Sequence, residues 1–141
     1  MSKISSSESY LIWEEIIGKA RLEDGREPLF RGYFEATIFA FENLRQGLSA
    51  KLAKELAGSG LEESALKTII AESEHNERLV SDAAADIKAT LDRDSACNSP
   101  LEVFLFYKGF AALQAHRLAN HLWLKGQKLL ALLIQSKAVQ R

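Results

Sequence analysis

Apolar positions recur at intervals of three and four along nearly the whole chain, the spacing of one buried helix face. Leu11, Ile12, Ile16 and Ala20 place a first helix over residues 8–22, and Ser5 with Glu8 has capping-box spacing ahead of it. Residues 1–7 are expected to lack order, and Asp24-Gly25 to end the helix. Pro28 opens a second helix, where a missing backbone N–H removes no hydrogen bond, and Tyr33, Phe34, Ile38 and Phe41 form its apolar stripe. A third helix spans residues 43–57 and stops at Gly58-Ser59-Gly60. Ser59 and Glu62 repeat the capping-box spacing and open a fourth helix that reaches Ser73. The polar stretch Glu74-His75-Asn76-Glu77 separates it from a fifth helix over residues 78–92, and residues 93–98 form a loop. Ser99-Pro100-Leu101-Glu102 is the clearest start signal: a cap, a first-turn proline and a glutamate at the third position. The helix it opens is expected to run to Lys125 and stop at Gly126, followed by a last helix over residues 127–138. Between Leu101 and Leu113 the pattern is apolar on nearly every face, which predicts a helix buried on all sides.

Composition sharpens the fold class. The chain holds 19 Ala and 21 Leu but only 3 Val and 3 Thr, so helix formers abound and strand formers are scarce. At 141 residues with 47% hydrophobic positions, the expectation is one all-α domain over residues 1–141. Its form is a compact bundle of about seven helices around a buried central helix near residues 99–125.

Charge narrows the partners. The formal net charge is −1, which argues against a protein that coats nucleic acid through bulk basicity. Residues 1–102 carry 12 basic and 19 acidic groups, a net of −7, whereas residues 103–141 carry six basic groups and no acid. That basic end fits cations facing water or the acidic remainder, so neither nucleic acid nor membrane is an expected partner. No uncharged apolar run reaches the roughly 18 residues of a membrane span, and the N-terminus lacks a signal-peptide core. The expected compartment is the cytosol.

Candidate chemistry is sparse. His116 and His121 are five apart, about 140° around a helix, so they do not form the paired face that a helical metal site needs. His75 lies in the polar stretch, and the single cysteine, Cys97, can form no internal disulfide and no zinc site alone. No metal ligands, phosphate-cradling glycine loop or nucleophile elbow is present. The residues by themselves describe a helical domain without a catalytic constellation.

Three stretches carry a resemblance. The first is Glu27-Pro28 through Tyr33, with Ala36-Thr37, Asn43-Leu44, Leu48-Ser49 and Leu52-Ala53. The second is Asp86-Ile87 through Arg93-Asp94-Ser95-Ala96. The third runs from Tyr107-Lys108-Gly109-Phe110 to Gln114-Ala115-His116-Arg117, then Leu122-Trp123 and Ala131-Leu132-Leu133-Ile134-Gln135. In this order, over residues 10–137, they resemble the N-terminal helical domain of serine O-acetyltransferase, which makes O-acetylserine from acetyl-CoA and L-serine in cysteine biosynthesis. The resemblance implies a second domain, a left-handed β-helix that forms trimers, binds acetyl-CoA and supplies a histidine base. It also implies that the helical domain pairs trimers, and that an acidic residue, matched here by Asp94, helps bind the amino group of serine.

The departures define what is expected of this chain. It reaches Arg141 without hexapeptide repeats, so neither the acetyl-CoA site nor the catalytic histidine is expected in it, and none of His75, His116 and His121 inherits that role. Ser95 stands where the family pattern has proline, and the segment from Asp94 to Pro100 is shorter than in bacterial relatives. Two functions follow. One is the N-terminal domain of a serine O-acetyltransferase, inactive alone, that serves oligomerisation through its N-terminal helices and completes the serine site with Asp94. The other is a stand-alone interaction module that keeps the fold without the catalysis.

Overall fold

The computed structural model describes residues 2–73 and 76–139, with side chains from Ser7 to Ala138. His75 lies outside the described residues. Among the described residues eight α-helices follow one another: α1 (Ser2–Arg26), α2 (Phe30–Phe34), α3 (Leu44–Leu56), α4 (Glu63–Glu72), α5 (Asn76–Arg93), α6 (Pro100–Phe106), α7 (Lys108–Leu124) and α8 (Lys128–Val139). A π-helical segment, Glu35–Phe39, continues α2. No strand occurs among the described residues, and the all-α bundle expected from composition is what forms. No described helix is long and apolar enough to cross a membrane.

Ridges of residues three and four apart build the core. α1 buries Ile12, Trp13, Ile16 and Ala20 against α5 and α6. α3 buries Leu44, Leu48, Leu52 and Leu56, one residue per turn. α5 contributes Leu79, Val80, Ala83, Ala84 and Ile87. α7 and α8 form an antiparallel hairpin on the other side. Its turn uses Gly126 at φ +87°, where a side chain would be strained. The Gln127 N–H donates to the Leu122 carbonyl at 2.9 Å and the Gly126 N–H to the Trp123 carbonyl at 3.0 Å, which satisfies carbonyls the helix end would leave open.

Several boundaries differ from the sequence reading, each for a local reason. α1 starts at Ser2, ahead of the residue-8 start expected from the apolar spacing, and it runs through Asp24-Gly25 to Arg26. The third helix begins as expected: Asn43 Oδ1 accepts from the Gln46 N–H at 2.9 Å, while Gln46 Oε1 accepts from the Glu42 N–H at 2.9 Å. Ser59 does not cap α4. It sits at φ +52° in a tight turn whose ends, Gly58 and Leu61, exchange both backbone hydrogen bonds, and the helix starts only at Glu63.

The expected helix over 99–125 is two helices. Tyr107 takes an extended conformation (φ −82°, ψ 108°) and turns the chain, so α6 packs on α1 and α5 while α7 packs on α5 and α8. Leu101, Val103 and Phe104 are buried, but Phe106 is 58% exposed and Leu113 40% exposed. The apolar excess therefore serves two helices with different neighbours, and part of it faces solvent.

Candidate functional site

The loop from α5 to α6 is held by its own backbone. The Asp94 N–H donates to the Thr90 carbonyl at 2.9 Å, adding one bond to α5, and the Cys97 N–H donates to the Asp94 carbonyl at 3.0 Å, closing a turn. Ser99 then enters α6 in extended conformation, with Pro100 in the first turn. Glu102 reaches back along the chain: its carboxylate accepts from the Asn98 N–H at 3.3 Å.

The Asp94 side chain folds onto this turn. Its Oδ1 accepts from the Ala96 N–H at 3.0 Å, the two-residue reach that makes aspartate a turn former. Its Oδ2 accepts from the Tyr107 hydroxyl at 3.2 Å. Each carboxylate oxygen can accept about two hydrogen bonds, so each oxygen keeps acceptor capacity, and the residue is half-buried rather than sealed. Cys97 is buried beneath the loop, its thiol directed at the Ser99 carbonyl at 3.7 Å. Hydrogen bonding with the Cys97 side chain, then burial, then the Asp94 carboxylate push the Tyr107 phenol above its ordinary pKa. Tyr107 is thus a neutral donor at physiological pH. On its other side it walls an open groove of about 650 Å³ with Lys51, Leu56, Phe106, Lys108 and Lys137.

A second cluster ties α5 to α7. Arg117 Nη2 lies 3.1 Å from both oxygens of Asp86, and Nη1 lies 3.3 Å from Asp82 Oδ2. Gln114 Nε2 donates to Asp86 Oδ2 at 2.7 Å from a fully buried position. This cluster joins two of the stretches that carried the resemblance, Asp86 in one and Gln114 with Arg117 in the other. The two carboxylates, the Arg117 Nη groups and the Gln114 amide nitrogen are engaged with one another, so the cluster acts as a strap between helices.

His116 is exposed on α7 and His121 half-buried a turn and a half further on. No group of three or more potential ligands is gathered to hold a metal among the described residues. Of the residues gathered at this loop, sequence reasoning picked out Asp94 and weighed Cys97, but passed over Tyr107. An aromatic inside an Ala/Leu-rich helical pattern reads as core, and nothing in the pattern marks the helix break that turns it toward Asp94.

Comparison with known proteins places the chain. The family model for the N-terminal region of serine acetyltransferase matches residues 12–115. Serine acetyltransferase 4 of Arabidopsis thaliana is 39% identical over 127 residues, covering 89% of this chain and 36% of the relative. The soybean serine acetyltransferase solved in complex with serine superposes with a TM-score of 0.87 at 34% identity, over 94% of this chain and 55% of that one. A serine acetyltransferase solved in complex with CoA superposes with a TM-score of 0.84 at 32% identity, over 90% of this chain and 55% of that one. The chain belongs to the serine acetyltransferase family. It corresponds to the N-terminal helical domain, and spans between a third and somewhat over half the length of these relatives.

Proposed function

We propose that the chain is the helical part of a serine O-acetyltransferase, and that Asp94 completes the serine site of such an enzyme. The reaction moves an acetyl group from the sulfur of acetyl-CoA to the hydroxyl oxygen of L-serine. The base for the hydroxyl and the acetyl-CoA site belong, in this reading, to the β-helix that the resemblance implies. The observation that carries the reading is the setting of Asp94. It is the acidic residue of Arg93-Asp94-Ser95-Ala96, it sits on a short loop between two helices, and its half-exposed carboxylate keeps room for another donor. Binding residues sit well on loops held by a rigid scaffold. A carboxylate there pairs with the serine ammonium, and charge-assisted hydrogen bonds of this kind contribute about 1.5–3 kcal/mol.

The test joins residues 1–141 to the β-helix of a related enzyme. Asp94→Asn in that fusion should lower kcat/KM for serine about 10- to 100-fold, since about 1.4 kcal/mol is a factor of ten. The KM for acetyl-CoA and the helical circular dichroism should hold. Unchanged serine kinetics with the fold intact would return Asp94 to a purely structural role.

Self-association, or association with a full-length relative, is part of the same reading. The aromatics of the first helices divide: Trp13 and Phe34 are buried, Phe30, Phe39 and Phe41 are partly covered, and Tyr10 and Tyr33 are exposed. What supports an interface on the first helices is a face of α1 and the segment after it that exposes Tyr10, Leu11, Leu22 and Leu29, the last 84% exposed.

A further inference from the structure

We propose that Tyr107 is a positioning residue for Asp94: its hydroxyl pins one carboxylate oxygen so that the free acceptor sites are already set for a ligand ammonium. The proposal rests on the reading of Asp94 given above and adds a residue to it.

The geometry separates this role from loop-building. The backbone of the loop is closed without the phenol, by the Asp94 N–H to Thr90 and the Cys97 N–H to Asp94. The Asp94 side chain has one tether from within the loop, the Ala96 N–H on Oδ1. A carboxylate held at one oxygen still swings about its side-chain torsions. The second tether, on Oδ2, comes from 13 residues along the chain and stops that swing. Tyr107 can reach because the helix breaks there: the extended residue between α6 and α7 directs the ring back to the loop, where an unbroken helix would carry it elsewhere. The break and the hydrogen bond are thus two observations of one arrangement. The neutral phenol donates without adding a charge to compete for the ammonium, and its raised pKa keeps it a donor throughout the physiological range. Fixing the carboxylate before a ligand arrives lowers the ordering cost of binding. The effect belongs to ligand affinity, so it acts on KM for serine and leaves kcat.

Two measurements test this. In the 141-residue protein, absorbance titration of the tyrosines in Asp94→Asn should move the phenol lost on Tyr107→Phe down toward the ordinary value of about 10, because a charged acceptor beside it is gone. An unmoved titration would mean that the contact does not operate in solution and would overturn the proposal. In the fusion, Tyr107→Phe keeps the ring and removes only the hydroxyl. It should raise KM for serine about three- to tenfold, less than loss of the carboxylate because water can replace part of the bond, and hold kcat within about twofold. Added to Asp94→Asn, it should change nothing further, since the group it positions is no longer a carboxylate. If Asp94→Asn impairs serine use while Tyr107→Phe leaves KM unchanged, or if the two effects multiply in the double variant, Tyr107 is structural and the proposal fails alone. If Asp94→Asn itself leaves serine kinetics unchanged, the reading of Asp94 fails and the positioning role fails with it.

Discussion

The indole of Trp13 lies directly on the backbone of Gly47. A Cβ at position 47 would meet Cη2 at 2.5 Å and Cζ3 at 2.9 Å, closer than such atoms pack. The same ring is buried and meets Phe104 edge-on, with centroids 5.5 Å apart, so it has little room to retreat. Helix α3 therefore tolerates its glycine because α1 needs the space.

Gly47→Ala should destabilise the domain by about 1–2 kcal/mol. Overpacking costs about 1–3 kcal/mol, and the better helix propensity of alanine offsets up to about 1 kcal/mol of it. Gly18 in α1 is the control, because a Cβ there meets nothing within 4 Å. Gly18→Ala should stabilise by about 0.5–1 kcal/mol. Urea unfolding at low protein concentration reads both, and a stabilised Gly47→Ala would contradict the packing described.

Asp86 should matter far more than Asp82. Removing Asp86 strands the fully buried amide of Gln114 and most of the charge on Arg117, which predicts a loss of about 2–4 kcal/mol for Asp86→Ala. Asp82 makes one long contact to Arg117 and is a third exposed, so Asp82→Ala should cost under about 1 kcal/mol. Equal losses for the two would show that the strap is not centred on Asp86.

Much of the fold was readable along the chain because its signals are local. The start near Asn43, the Pro100 start and the Gly126 stop each act within a few residues, and each marks a real boundary. The misreadings arise where a tighter local turn or distant partners decide. Ser59 has the spacing of a cap, but flanking glycines give the chain a tighter turn. Leu101–Leu113 reads as one buried helix, yet α6 and α7 answer to different neighbours and part at Tyr107. Asp94 stood out because the stretch that carries the resemblance there is contiguous. Its partner did not, because a phenol 13 residues away becomes relevant only through the break.

Alkaline pH should expose the Tyr107 contact as a stability effect. The phenol pKa is raised in the folded protein above its unfolded value near 10. The stabilisation is thus fully present below about pH 10 and is lost as pH rises toward the folded pKa, because the unfolded chain releases that proton first. Thermal midpoints measured from pH 8 upward should fall more steeply above about pH 10 in the parent than in Tyr107→Phe. Parallel curves would mean that Tyr107 adds nothing to the alkaline limb.

Light scattering over a range of micromolar concentrations should detect self-association, and Leu11→Glu with Leu22→Glu should weaken it, since charges on an apolar interface are costly to bury. A parent protein that stays monomeric and also ignores a full-length relative would remove the association role from the first helices.

The central claim is that this domain assists serine acetylation and does not perform it alone. Acetyl transfer from acetyl-CoA to L-serine, followed with the purified 141-residue protein and with the same residues joined to a related β-helix, tests it most directly. The account predicts no turnover by the helical domain, because none of its residues is assigned as thioester site, base or oxyanion donor, and turnover by the fusion that depends on Asp94. Serine acetylation by the 141-residue protein on its own would contradict it.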